Sequence, residues 1–179
     1  STSNFSASSE EIEAGTWYHY ALVKDGPKSF KFYLNGGLVK AGTTPGSSVA
    51  IDVNQDPIIG SDYYPNPNTR TNYFNGQLDE FRLWTTPKSQ TEIQDNINKK
   101  MTGSEANLSV YYSFDQGVSG GNNTGIASVL DGAGTAHAAI NGFTKTGTSS
   151  NFVANDRGDI KVPPTLTLTE TSKVYGDAD

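Results

Sequence analysis

The sequence predicts an all-β fold of short antiparallel strands with one short helix, and three observations carry that prediction. Apolar residues make up only 34% of the 179 residues, yet the chain holds 9 Tyr, 8 Phe and 2 Trp against a single Met. Such a core is aromatic and β-branched, the composition of strands rather than of helices. Several segments alternate with a period of two. Gly, Asn, Asp and Pro punctuate the chain between them, as turns require.

The elements follow in order. Residues 1–15 are polar and read as a loop. From Trp17 to Val23 both sets of alternate positions are mostly apolar, which predicts a strand covered on both faces. Asp25-Gly26-Pro27 is a turn, and Phe30, Phe32 and Leu34, alternating with Lys31 and Tyr33, form the second arm of a hairpin. Asn35-Gly36-Gly37 turns into a short strand at Leu38-Val39. Thr43 to Ser48 is a small-residue loop, and Pro57-Ile58-Ile59-Gly60 reads as a short buried strand. Residues 61–73, with three Asn, two Pro and three Tyr, are expected as an exposed loop before a strand over Gln77–Trp84.

The helix announces itself by Ser89-Gln90-Thr91-Glu92, a capping box in which Ser and Glu each satisfy a free backbone N–H of the other. Ile93, Ile97 and Met101 continue it as a narrow apolar stripe. Leu108, Val110, Tyr112 and Phe114 alternate with Ser109, Tyr111 and Ser113 in a further strand. Residues 117–125 are rich in Gly and Asn and read as a loop too polar for a core, and Ala136 to Phe143 holds a last short strand. After Pro163-Pro164 the pattern changes to Thr165-Leu166-Thr167-Leu168-Thr169, so residues 159–179 are expected to be a linker and the first strand of a following module.

Composition also narrows function. The absence of cysteine excludes disulfides, thiolate metal sites and a cysteine nucleophile. The net charge of −6 is thinly spread, and no Lys or Arg cluster offers a surface to phosphate backbones, so nucleic acid is not an expected partner. No apolar run reaches the roughly 18 residues of a membrane span. Ser1-Thr2-Ser3-Asn4-Phe5-Ser6 lacks the features of a signal peptide, which places any export signal upstream.

Motifs along the chain fall in a known order: Trp17-Tyr18-His19-x-Ala21-x-Val23-x-Asp25-Gly26, Phe32-Tyr33-Leu34-Asn35-Gly36, Ile59-Gly60, Phe74-x-Gly76-x-Leu78-Asp79-Glu80-Phe81-Arg82-Leu83-Trp84, Glu92-Ile93, and Leu108-x-x-Tyr111-Tyr112-x-Phe114-Asp115. This series resembles the second half of laminin-G-like, concanavalin A-like (pentraxin-like) domains over about residues 10–115. The resemblance implies an antiparallel jelly-roll β-sandwich with one short helix over residues 1–158. Residues 117–153 resemble the tail of such modules in Bacteroidetes surface proteins, and Lys173-Val174-Tyr175-Gly176-Asp177 resembles the opening of an MBG-type adhesin repeat. The implied setting is a secreted or cell-surface bacterial protein, and the implied role is non-catalytic adhesion through glycan or protein contacts. A spacer in a surface filament and an accessory carbohydrate-binding domain of a polysaccharide-degrading enzyme are the alternatives. The family's opening strand, with its Asp-Gly, has no match here. The missing strands are expected from upstream sequence or another chain, since a half-sandwich exposes a large apolar face.

Candidate binding residues concentrate in one segment. Asp62, Tyr63, Tyr64, Asn66, Asn68, Arg70 and Tyr73 combine aromatic faces with hydrogen-bonding groups. Sugars present C–H faces and hydroxyls, so this is the chemistry of a glycan site. It is equally the chemistry of a protein interface, and loop packing is the plain alternative. For calcium, Asp52-x-Asn54-x-Asp56 supplies three oxygen ligands of a loop, but Pro57 stands where an EF-hand has Gly and the closing Glu is missing. In similar domains the position of Asp79 helps hold a structural calcium ion. As neighbours on a strand, Asp79 and Glu80 would point to opposite faces. Trp17 and Trp84 are expected in the core, His19 as a hydrogen-bonded core histidine, and His137 without a metal partner. Glycosidases of this sandwich carry alternating acids on one strand face, and adjacent Asp79-Glu80 does not supply that pair.

Overall fold

The computed structural model describes residues 12–43, 57–64, 69–154 and 157–163; for Tyr63 and Tyr64 it describes the backbone. Among the described residues nine strands and one helix form four small antiparallel sheets. The largest has three strands in the order β1 (Tyr20–Lys24), β2 (Ser29–Leu34) and β3 (Gly37–Thr43). Asn35 and Gly36 join β2 to β3 with φ of 49° and 79°. Two successive positive φ values match the right-handed twist of the arms, and Asn-Gly tolerates them at least cost. A bulge falls between Phe32 and Tyr33.

Strand β4 (Asp62–Tyr64) pairs with β5 (Thr69–Thr71), β6 (Phe81–Trp84) with β7 (Leu108–Tyr112), and β8 (Ser128–Val129) with β9 (Ala138–Ala139). Helix α1 (Gln90–Asn96) starts at Ser89, and both arms of its capping box are made: the Ser89 hydroxyl accepts from Glu92 N–H, and Glu92 Oε2 accepts from Ser89 N–H at 2.8 Å. Ile93, Ile97 and Met101 are all buried, although the helix itself ends before Ile97.

Helix α1 defines an inside. Val23 and Tyr33, on one face of β1–β2, pack with Ile93. Across β6–β7, Arg82 opposes Tyr111, and both reach the end of the helix: Arg82 Nη1 donates to Asn96 O at 2.7 Å, and Met101 N–H donates to the Tyr111 hydroxyl at 3.3 Å. The opposite faces of both sheets carry exposed apolar residues beside buried ones, for Leu34 and Tyr112 on them are only 7% and 8% exposed. Tyr20 and Leu22 are 53% and 72% exposed, and Phe81 and Leu83 are 37% and 49% exposed. The strand at Trp17–Val23 is therefore covered on one face only, which corrects the expectation of two. Trp17, half-buried, precedes the strand.

Other expectations need correction. Pro57–Gly60 forms no strand, and Ile59 is 41% exposed. Residues 61–73 are not simply a loop, because they contain the β4–β5 hairpin. Residues 117–125 are not too polar for the interior: Asn123 is 3% exposed, accepts Val118 N–H at 2.7 Å and donates to Val118 O and Asn151 Oδ1. Strand β7 stops at Tyr112 because Phe114 takes φ of 56°. Ile160 is buried and exchanges two hydrogen bonds with the Asn98 side chain, which ties residues 157–163 to the end of the helix.

Candidate functional site

The hairpin β4–β5 holds the aromatic and polar residues singled out from the sequence. Its register puts Asp62 opposite Thr71, Tyr63 opposite Arg70 and Tyr64 opposite Thr69. Asn72, with φ of 50°, closes the arm by donating from Nδ2 to Asp62 Oδ2 at 2.8 Å, and Phe74 N–H donates to Gly60 O at 2.8 Å. These bonds fix the base of the hairpin. Tyr73 and Phe74 then stand out at 69% and 57% exposure, with Arg70 also exposed. Exposed aromatic residues at 73 and 74 thus follow in sequence the exposed Arg70 and the hydrogen-bonded Asn72 of the Asp62–Asn72 pair. Asn66 and Asn68 lie outside the described residues. Asn72 and Phe74 were not anticipated as site residues; the Asp62–Asn72 bond depends on strand register, which the composition of a loop does not reveal.

Asp79 lies elsewhere. Its Oδ2 is 3.4 Å from Arg157 Nε, and both side chains are nearly buried, at 9% and 11% exposure. The Arg157 guanidinium is thus a charge partner of this carboxylate. Among the described residues no group of three or more His, Asp and Glu side chains is gathered for a metal; Asp52, Asn54 and Asp56 lie outside them. Asp79 and Glu80 do not sit on a strand, because Glu80 takes φ of 55° just before β6. The alternation that would separate their side chains does not apply. Glu80 instead accepts from Arg82 Nη2 and from the Tyr111 hydroxyl, at 2.8 and 2.9 Å.

His19 is half-buried above this cluster. Its N–H donates to Asn35 Oδ1 at 2.9 Å, and its carbonyl accepts Asn35 N–H at 2.8 Å. These bonds to Asn35 run through the His19 backbone, and on its ring Nδ1 is buried without a hydrogen-bond partner. Burial, and then the charges of Arg82 and Arg157, lower its pKa to about 4. Such a ring is neutral at ordinary pH. His137 serves structure, its Nδ1 accepting Asp131 N–H at 3.0 Å.

Residues 1–94 match the family model described as the concanavalin A-like lectin/glucanases superfamily. The chain belongs to this superfamily. In fold it is similar to a crystallised protein from Bacteroides ovatus, named as a candidate carbohydrate-binding protein, with a TM-score of 0.56 and 24% identity. The match covers 75% of this chain and 37% of that one, so the superfamily member described here spans little more than a third of its structural neighbour. No curated protein matches the sequence.

Proposed function

We propose that this concanavalin A-like domain is a non-catalytic carbohydrate-binding module whose hairpin β4–β5 contacts a glycan in a secreted or cell-surface adhesion protein. The observation that carries the reading is the exposure of Tyr73, 69%, next in sequence to Asn72 of the fixed Asp62–Asn72 pair and three residues from exposed Arg70. An aromatic ring offers a face to sugar C–H groups, and polar groups held by one another are preorganised for hydroxyls. The superfamily and the description of the B. ovatus neighbour support the ligand class. A spacer role would be favoured by tyrosines packed inward, and Tyr73 is not. A protein ligand is an outcome of the test.

That test is glycan-array binding of the full chain against its Tyr73→Ala and Arg70→Ala variants. The expected result is at least a tenfold loss for each variant with an unchanged circular dichroism spectrum. Retained glycan binding in both folded variants sinks the hairpin reading, and a wild-type chain that binds protein but no glycan redirects it to a protein partner.

The open apolar faces around Leu22 and Leu83 belong to the same proposal. In the working protein an opposing sheet covers them, from upstream sequence or another chain. A polypeptide that includes upstream sequence should bind a hydrophobic dye much less than the isolated chain; equal binding counts against the cover. Calcium would draw on Asp52, Asn54 and Asp56 or, in the domain completed by its opening strand, on Asp79, and a calcium-dependent rise in melting temperature lost in Asp52→Asn or in Asp79→Asn is the result that would support it.

A further inference from the structure

A cleft of about 460 Å³ lies between the turn of β1–β2 and the residues leading into α1, and no β4–β5 residue lines it. Its size is within the roughly 300–1,000 Å³ of small-molecule sites. Val23, Tyr33 and Leu38 supply apolar lining, and Asp25, Lys31 and Gln90 supply polar groups. Val23 and Tyr33 are buried, at 7% and 4% exposure, whereas Leu38 is 49% exposed at the mouth.

The polar groups are held before any ligand arrives. Lys31 Nζ is 2.7 Å from Asp25 Oδ2, an ion pair still 42% and 27% exposed. Gln90 Nε2 is anchored on Gly36 O at 3.0 Å. Lys88, also at the cleft, is fixed by Glu92 Oε1 at 3.3 Å and by the Trp84 ring at 4.2 Å. Each lysine thus carries a carboxylate partner, so the cleft has no uncompensated cation with which to attract an acidic ligand.

What it does present is an adjacent acceptor and donor, Asp25 and Lys31, in a cleft that exposed Leu38 also lines. Vicinal hydroxyls of a pyranose can donate to the carboxylate and accept from the ammonium while the C–H face covers Leu38. We infer that this cleft is a second saccharide seat, taking a neutral pyranose unit and distinct from the hairpin.

The experiment uses the full chain carrying Tyr73→Ala and Arg70→Ala, so that hairpin binding is disabled, on an array of neutral and acidic glycans. Residual binding to neutral glycans is expected, reduced at least tenfold by Asp25→Asn and by Leu38→Trp, which fills the mouth at a half-exposed position. No residual neutral binding by the folded double variant overturns the inference. So does residual binding that both cleft variants leave unchanged, or binding confined to acidic glycans. Failure of the hairpin reading looks different, because there the double variant binds as wild type does.

Discussion

Arg82 and Glu80 form a 2.8 Å ion pair in which only 8% and 4% of the side chains are exposed. The pair closes a network. Arg82 also donates to the carbonyls of Asn96 and Lys99, and Glu80 also accepts from the Tyr111 hydroxyl. It joins β6, β7 and the end of α1 beside the buried Ile97, Met101 and Tyr111. Burial and the neighbouring Glu80 push the Tyr111 hydroxyl well above the ordinary range, so it stays a donor.

Removing one partner from this pair leaves a buried charge without compensation. Glu80→Ala is expected to cost about 3–5 kcal/mol, read as a lower urea midpoint. The double variant Glu80→Gln with Arg82→Met should recover part of the loss, because no charge then remains buried. A single variant as stable as wild type would falsify the role of the pair.

The histidine gives a pH dependence. His19 has a folded pKa of about 4 against a model-peptide value of 6.5. Between those values the unfolded chain binds a proton that the folded chain refuses. The contribution of His19 is therefore complete above about pH 6.5 and is lost as pH falls towards 4. The loss is on the order of 3 kcal/mol. Melting temperature should fall over this window and fall less in His19→Gln. Parallel curves for the two proteins would remove His19 as the cause.

Asp131 organises the loop beyond β8. Its carboxylate accepts the N–H groups of Tyr111, Ala133 and Ala136 at 2.9, 2.9 and 3.1 Å while only 7% of the residue is exposed. Burial alone would raise its pKa, but those N–H groups more than offset it and hold the carboxyl below its usual range. Asp131→Ala orphans three donors and is expected to cost roughly 3 kcal/mol or more. Hydrogen exchange should quicken at Ala133 and Ala136; unchanged protection at both would contradict this.

Gly36 sits at φ of 79°, and a methyl group on it would lie 2.7 Å from Gln94 Cγ. Its carbonyl accepts from both Gln90 and Gln94, each at 3.0 Å, which fastens the β2–β3 turn to α1. Gly36→Ala is expected to cost about 1–2 kcal/mol from the backbone alone, with further loss as Gln94 shifts. Denaturation with urea checks it, and a neutral substitution would mean that the turn relaxes freely.

Local chemistry made much of this fold readable. The capping box at Ser89 and Glu92, the Asn35-Gly36 hairpin and the alternation in β2 and β7 depend on neighbours within a few residues, and each appears where expected. The short buried strand at Pro57–Gly60 does not, since apolar character alone cannot supply a pairing partner. Strand β8 was missed for the converse reason: two residues paired to β9 leave no period in the sequence.

The sequence by itself determined strands β1, β2 and β7, the one helix and the aromatic character of residues 61–73, because side-chain periodicity and turn chemistry are local, and its ordered motifs pointed to the superfamily by resemblance. Only the tertiary structure decided that Asp62 meets Asn72, that Arg157 occupies Asp79, that Glu80 belongs to a buried ion pair, and that one face of the sheets at Leu22 and Leu83 lies open. Those outcomes depend on register, on a left-handed φ and on contacts between residues as far apart as 79 and 157, where burial and charge compensation choose among partners that no local pattern ranks.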